Sequence, residues 1–530
     1  MYNKEDIIKL LENNGDIKIK KDSVPCKADD KVFKEIINGL FQAEGNINYE
    51  FFSKNSEQGQ FKWWISLNGS EGSIKLLKDL NEVFDNKLYF NILIKKSKKI
   101  HVRIYTKDIL LIINKIKPYL YNIYGDKYRC FVFLIKIKYI LEILKKIDYK
   151  DNKDKYIDLI IKLICLVYNM VDNNESLQGG RIISLDEKLK LVLSKYNEKD
   201  YYNDKYIKKI NYYKDYIKNI KDNNKNDKFN INFKWLLGFI LGDGNVTYYI
   251  GGKYPKIEYT YMLRWVKKIT EDNKKLWNLI VLFLNKKKIS INYYKGIEDL
   301  VEIRIYSINS LLNLFNEWII YKEYWYNKRL DFYYCYKTLL LSKISRYWYY
   351  GALLRILLLK EYKNLKYKNI SKKSLKLKKY SIDEIVEDLK KILINMNIKE
   401  LEVVGVEEKI INKNYIEKVL IKDNRDTNLF LYPNNYSDNI KLLLLTRIYE
   451  KKILKSKVSA QTTCGAEEED LVFIRKYKEL GYVVKLPINT KEKYYYFSTW
   501  GKDKALLESK NYRNNQLNNW LDKYIFNNTN

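Results

Sequence analysis

Two acidic residues, Glu44 and Asp243, close segments that read almost alike. Residues 38–47 are NGLFQAEGNI and residues 237–246 are LGFILGDGNV; at an offset of 199 residues they pair Gly39 with Gly238, Glu44 with Asp243 and Gly45 with Gly244. Paired carboxylates supply hard oxygen ligands, which suit Mg²⁺ or a similar divalent cation. A cation held at a phosphodiester can activate water and stabilise the leaving oxygen with no histidine involved. That matters in a chain of 530 residues with one histidine, His101. A His-based zinc site, a His-Cys-box nuclease and most Ser-His or Cys-His hydrolases are excluded.

Two more matches follow the acids. HVRIYT (101–106) parallels EIRIYS (302–307), pairing Arg103 with Arg304, and YGDKYRCFVF (124–133) parallels YWYNKRLDFYY (324–334), pairing Lys127 with Lys328, both at an offset of 201 residues. Three matches at nearly one offset mark a long internal repeat. The elements that must position these groups are legible in each copy. Phe33, Ile36, Ile37, Leu40 and Phe41 have helical spacing. Strand-like runs follow at 46–53 and 60–67 in the first copy, and at 245–251 and 256–265 in the second. An amphipathic helix (70–85; 271–286), two more strands (88–95 and 100–105; 289–295 and 300–306) and closing helices (106–116 and 127–145; 307–319 and 328–343) complete each unit. The natural packing is α+β: antiparallel four-stranded sheets with helices on one face. In VRIY and IRIY, Val102/Ile104 and Ile303/Ile305 alternate with Arg103/Tyr105 and Arg304/Tyr306, so one face meets helices and the other is basic and aromatic.

At these residues the sequence resembles the LAGLIDADG family of homing endonucleases and intron maturases. LGFILGDGNV is similar to the family's dodecapeptide and NGLFQAEGNI is a weaker match. Two motifs in one chain resemble the single-chain, pseudo-symmetric members, over roughly residues 31–345. The resemblance implies two αββαββα repeats and a metal-dependent, site-specific endonuclease encoded by a mobile intron, acting on double-stranded DNA as a monomer. Its alternative is a maturase that binds its host intron RNA. Glu44 and Asp243 would be catalytic and ligate Mg²⁺ together with Ala43 and Gly242. Lys127 and Lys328 would assist the chemistry, and Arg103, Arg304, Tyr105 and Tyr306 would meet nucleic acid. The motif helices can approach closely because Gly39, Ala43, Gly238 and Gly242 are small. Asn38 and Gln42 stand where the family usually has smaller or more apolar residues, and are expected to loosen the pair. Gly45 and Gly244 are expected to provide a sharp turn into the first strand.

The expected organisation is an N-terminal extension (1–30), a first repeat (31–145), a connector (146–229), a second repeat (230–345) and a mixed α/β extension of unknown role (346–530). The connector holds an apolar helix (156–171), a Gly-Gly turn (179–180) and a Lys/Asn/Asp/Tyr-rich run (199–229) read as a linker or solvated helix. The Trp63-Trp64 pair reads as core and sheet packing, and His101 as structural. Lys and Arg number 98 against 65 Asp and Glu, a net charge of +33. Such a balance points to a polyanion, although abundant Lys, Asn, Ile and Tyr with few Pro and Gly also mark an A+T-rich gene. The five cysteines form no C-x-x-C pair and read as buried hydrophobes in a reducing compartment. No apolar run reaches the ~18 residues of a membrane span. The acid-containing N-terminus resembles neither signal nor transit peptide, so an organelle-encoded, mitochondrial protein is expected.

Overall fold

The computed structural model describes residues 30–53, 55–94, 100–170, 175–178, 181–196, 204–223, 226, 229–251, 258–268, 271–295, 300–344, 473–486, 491–521 and 523. They fall into two compact units. One comprises Met1–Asn245, Arg264–Arg304 and Asn316–Arg329; the other comprises Val246–Leu263, Ile305–Phe315 and Leu330–Asn530.

The first repeat opens with α1 (Lys31–Glu44), whose N-terminus is closed by Asp30 accepting from the amides of Val32 and Phe33. The helical stripe Phe33, Ile36, Ile37, Leu40 and Phe41 is fully buried. Strands β1 (Gly45–Phe51) and β2 (Gly59–Asn68), helix α2 (Glu71–Val83), and strands β3 (Tyr89–Ile94) and β4 (Ile100–Thr106) follow. The sheet is antiparallel, in the order β1-β2-β4-β3. Alternation holds strictly on β4, where Val102, Ile104 and Thr106 are buried while His101, Arg103 and Tyr105 face the partly open side. The same rule divides the tryptophans. Trp63 is buried and stacks on Phe41 with ring centroids 5.7 Å apart, whereas Trp64 lies half-buried on the opposite face. A helical stretch from Ile109 to Tyr119, with a π-turn at Ile112–Ile116, leads to α3 (Gly125–Leu144).

The connector contains α4 (Lys153–Met170), paired strands β5 (Glu175–Gln178) and β6 (Arg181–Ser184), α5 (Leu185–Leu193) and α6 (Asp204–Asn223). The Gly-Gly turn lies outside the described residues. Helix α6 corrects the linker reading: Tyr206, Ile210, Tyr213, Ile217 and Ile220 are buried, and the Tyr213 hydroxyl donates to Asp158 of α4 at 2.6 Å. Their alternating spacing of four and three residues makes an apolar seam despite the polar composition.

The second repeat repeats the order. It comprises α7 (Phe233–Asp243), β7 (Gly244–Gly251), β8 (Glu258–Lys268), α8 (Glu271–Lys286), β9 (Asn292–Lys295), β10 (Leu300–Ile305), α9 (Ile308–Trp318) and α10 (Arg329–Ile344). Its sheet runs β7-β8-β10-β9, the same permutation as the first. Strand β10 ends at Ile305, so Tyr306 is not on the sheet. The chain departs because Ser307 begins the next helix, its carbonyl accepting from Leu311 at 2.8 Å.

Beyond the repeat, β11 (Ile474–Tyr477), β12 (Gly481–Val484) and β13 (Lys493–Tyr496) form an antiparallel sheet in that order, followed by α11 (Lys502–Leu521). The readings made over residues 345–472 lie outside the described residues. Cys130, Cys165 and Cys335 are buried thiols outside any disulfide, and burial pushes the Cys165 thiol up to about 12. Among the described residues no helix is long and apolar enough to cross a membrane.

Candidate functional site

Glycine makes the centre of the first unit. A Cβ on Gly39 would fall 1.9 Å from the carbonyl oxygen of Trp235, and one on Gly238 would fall 1.8 Å from that of Ile36. These are one contact seen twice, since Trp235 stands to Ile36 as Gly238 stands to Gly39. Helices α1 and α7 therefore meet backbone to backbone about a pseudo-two-fold axis. Further along, a Cβ on Gly242 would lie 2.6 Å from Ala43 Cβ and 2.9 Å from Glu44 Cγ. The carboxylate-bearing ends of the two helices are thus side by side, at the negative ends of two helix dipoles.

The glycines after the acids do a different job from the one expected. Gly45 has φ −75° and ψ 154°, and Gly244 φ −75° and ψ 151°, extended values open to any residue. What excludes a side chain is packing. A Cβ at Gly45 would sit 2.0 Å from the ring of Phe41, and one at Gly244 would sit 2.3 Å from Cγ2 of Ile240. The helix thus passes directly into its strand with an apolar side chain of its last turn, Phe41 or Ile240, folded over the junction.

Asn38 and Gln42, expected to loosen the helix pair, face away from it. Asn38 is fully buried; its Nδ2 donates to the carbonyls of Lys34 (2.7 Å) and Tyr119 (3.1 Å), and its Oδ1 accepts from the amide of Asn122 (2.7 Å). Gln42 Oε1 accepts from the amide of Tyr124 at 2.8 Å. Together they fix the 119–124 loop, which delivers α3 and Lys127. Asn122 extends the stitching to the second helix: its side chain exchanges hydrogen bonds with Asn230, and its carbonyl accepts from Trp235 Nε1 at 2.9 Å. Sequence reasoning missed these positioning residues, because their partners lie about eighty residues or more away.

Lys127 lies in the first turn of α3 and donates to the carbonyl of Gly45, the residue after Glu44, with its ammonium 5.6 Å from the centroid of Phe41. Lys328 occupies a 3₁₀ turn, Tyr326–Lys328, just before α10. That turn is tied to the second motif helix by Asn327, whose Nδ2 donates to the carbonyl of Leu241 at 3.2 Å. Gly125 and Tyr326 are equivalent under the offset of 201, and both have positive φ, 55° and 35°. Glycine adopts that conformation freely, whereas tyrosine is strained there by about 1–2 kcal/mol. Tyr326 is held by a 2.7 Å hydrogen bond to Asp79 Oδ2 and by Phe33, 6.3 Å away between ring centroids.

On the open faces, Arg103 lies with its guanidinium 5.2 Å from the ring of Trp64, and burial lowers its pKa from the ordinary value. Tyr105 shares that face, its ring 5.7 Å from Tyr89. Arg304 pairs with Glu302 at 2.6 Å, and Arg264 adds a 3.4 Å contact to the same carboxylate. The hydrogen bond from Arg304 holds Glu302 below the usual carboxylate range.

Among the described residues no group of three or more His, Cys, Asp or Glu gathers to hold a metal. The oxygen-bearing residues at the adjoining helix ends are Glu44 and Asp243, preceded in their last turns by Ala43 and Gly242 respectively. One oxygen of Asp243, Oδ2, is buried. This all-oxygen set fits a hard divalent cation that keeps water and phosphate oxygens as its remaining ligands.

No family profile and no curated protein matches the chain. Among solved structures it is similar to the I-LtrWI LAGLIDADG homing endonuclease bound to target DNA, at 17% identity, 63% of this chain, 97% of that one and a TM-score of 0.42. It is also similar to the LAGLIDADG homing endonuclease I-GzeII in complex with a DNA target, at 18% identity, 64% and 98% coverage and a TM-score of 0.42. I-SmaMI bound to cleaved DNA gives 12% identity, 64% and 98% coverage and a TM-score of 0.42. Identity this low speaks to fold alone, and at these TM-scores the reading of the site rests on the chain's own geometry. That geometry has the paired motif helices and twice-repeated αββαββα order implied by the LAGLIDADG resemblance.

Proposed function

We propose that the chain is a metal-dependent, site-specific double-strand DNA endonuclease of the homing type, encoded by a mobile intron. The carrying observation is the reciprocal contact of Gly39 and Gly238, which brings Glu44 and Asp243 to adjoining helix ends. Two acids related by a pseudo-two-fold axis match two strands of opposite polarity related by the same symmetry. Glu44 and Asp243, with the carbonyls of Ala43 and Gly242, would hold Mg²⁺, which when bound supplies Lewis acidity at the phosphate and lowers the pKa of water. Lys127 adds positive charge beside Glu44, and Lys328 is assigned the equivalent role in the other half. The Arg103/Tyr105 face, with Arg304 in the second sheet, reads the duplex, and Tyr306 is assigned a contact from beyond the strand end. A monomer carrying both halves suffices. The A+T-biased composition favours an organellar, mitochondrial gene.

Purified protein and Mg²⁺, incubated with intron-less host organellar DNA, should give one discrete double-strand break on sequencing of the ends. Glu44→Gln and Asp243→Asn should abolish it and retain binding. Tight binding to the host intron RNA, with no cleavage of any duplex, overturns the nuclease and promotes the maturase.

A further inference from the structure

The sheet β11-β12-β13 has two faces of different character. Ile474, Tyr482, Val484 and Tyr495 share one. Tyr482 packs against Phe497 with ring centroids 5.3 Å apart, and Tyr495 lies 6.3 Å from both Trp500 and Tyr512 of the following helical segments. By strand register, Arg475, Val483 and Tyr494 align across the other face, with Tyr477 and Tyr496 two residues further along their strands. There Arg475 pairs with Glu492 at 3.3 Å, bridging the outer strands across β12, where Val483 is fully buried. Lys485 pairs with the same carboxylate at 3.0 Å. This face stays accessible: the side chains of Arg475 and Lys485 are 43% and 52% exposed, and Tyr494 and Tyr496 are 37% and 43% exposed. On this face two cations, Arg475 and Lys485, share the single acid Glu492, which leaves one net positive charge.

We propose that this face is a duplex DNA-binding surface in its own right, entering the major groove. This goes beyond the endonuclease reading and uses none of its residues. Adjacent strands stand about 5 Å apart, and the B-form major groove, about 12 Å wide, admits a two-stranded ribbon of this sheet. The deep, narrow major groove of A-form RNA does not admit such an element. The rings do not form a platform for unpaired bases, because they pack on one another. Tyr477 meets Tyr494 edge to face at 5.3 Å, Tyr494 stacks on Tyr496, and the Tyr494 hydroxyl donates to Glu492 at 2.7 Å. What they offer a duplex is hydroxyls at the rim, the forked guanidinium of Arg475 and the ammonium of Lys485, both preset by one shared acid.

The test is a titration of full-length protein, in EDTA so that nothing is cut, against a fluorescent random-sequence duplex of about 40 base pairs at several salt concentrations. Arg475→Gln with Lys485→Gln should weaken binding by roughly tenfold or more at low salt and reduce the salt slope by about 1.8, two phosphate contacts' worth. Lys502→Gln with Lys504→Gln removes the same charge from the helical layer and should leave binding within about twofold. Equal losses in both double variants, or no loss in the first, overturn the proposal. If single-stranded RNA of the same sequence competes better than the duplex and loses equally in the first variant, the duplex assignment is overturned in favour of RNA. Should the first variant melt early, Tyr496→Glu places a negative charge on the same exposed face, and unchanged duplex affinity in that variant overturns the proposal. The titration is run without cation and reads no cleavage, so failure of the nuclease reading and failure of this one are told apart.

Discussion

Gly238→Ala is the perturbation for which the structure gives the sharpest expectation. The new methyl would lie 1.8 Å from the oxygen, 2.6 Å from the carbonyl carbon and 2.9 Å from the Cα of Ile36. All three are backbone atoms of a helix, so no rotamer change relieves the clash. Ordinary contact begins near 3.4 Å, and the helices must part locally by roughly 1.5 Å. Overpacking of this kind costs about 1–3 kcal/mol, and the rigid target puts it at the upper end. Alanine returns about 1 kcal/mol of helix propensity. The net destabilisation is about 2 kcal/mol, or ~3 °C in melting temperature for a unit of this size. Parting the helices also parts Glu44 from Asp243, and a misplacement of about 1 Å costs on the order of 100-fold in rate. Differential scanning fluorimetry and a timed plasmid-cleavage assay read the two effects. Gly242→Ala is the internal comparison, since its methyl meets side chains rather than backbone: Ala43 Cβ at 2.6 Å, Glu44 Cγ at 2.9 Å and Leu40 Cδ1 at 3.5 Å. It should lose less stability than Gly238→Ala while still slowing cleavage. A Gly238→Ala protein that melts at or above wild type and cuts normally would refute the backbone-to-backbone axis.

Asn38→Leu should cost about 1–3 kcal/mol, because the Asn122 amide and Tyr119 carbonyl lose buried partners. Cleavage should fall with little change in DNA affinity as the support for Lys127 slackens; an equal fall in affinity counts against a positioning role. Arg103→Ala should weaken target binding by about 1–3 kcal/mol and relax selectivity at one position of the site, measured by competition with single-base variants; unchanged selectivity excludes base readout. Lys188 is buried and donates to the carbonyls of Ser53 (2.9 Å) and Ser56 (2.7 Å). Burial, then repulsion from Lys195, pulls it down to about 7 from an ordinary 10.5, with Glu57 opposing. Between those values the unfolded chain binds more protons at this site, so its contribution makes stability rise with pH, by up to ~1.4 kcal/mol per pH unit. Melting from pH 7 to 9 should show that rise in wild type and lose it in Lys188→Met; identical slopes refute the assignment.

The parts of the site legible in sequence were those that only one or two residue types can perform. A helix pair at backbone contact requires glycine, so Gly39 and Gly238 announced the axis, and a hard cation requires carboxylates. Alternation gave the faces of β4, and the offset gave the second copy. Long-range polar satisfaction was not legible. Asn38 and Gln42 looked like defects in an apolar motif because the loop they hold lies about eighty residues on. Composition outweighed spacing in α6, whose seam was present in the sequence beneath its lysines. The end of β10 depended on Ser307 opening a helix, which moved Tyr306 off the sheet. Trp64 could be separated from Trp63 only once the strand's phase was fixed.

The axis also leaves a trace in the chain's economy of residues. Glycine codons begin with two guanines, and drift toward A and T erodes them. This chain keeps 20 glycines in 530 residues, and five of them, at 39, 45, 238, 242 and 244, fall inside the two ten-residue motifs. Each stands where a single added methyl would collide with a carbonyl, a ring or a neighbouring helix end. These five stand where two polypeptide backbones, or a helix and its own strand, leave no room for a side chain.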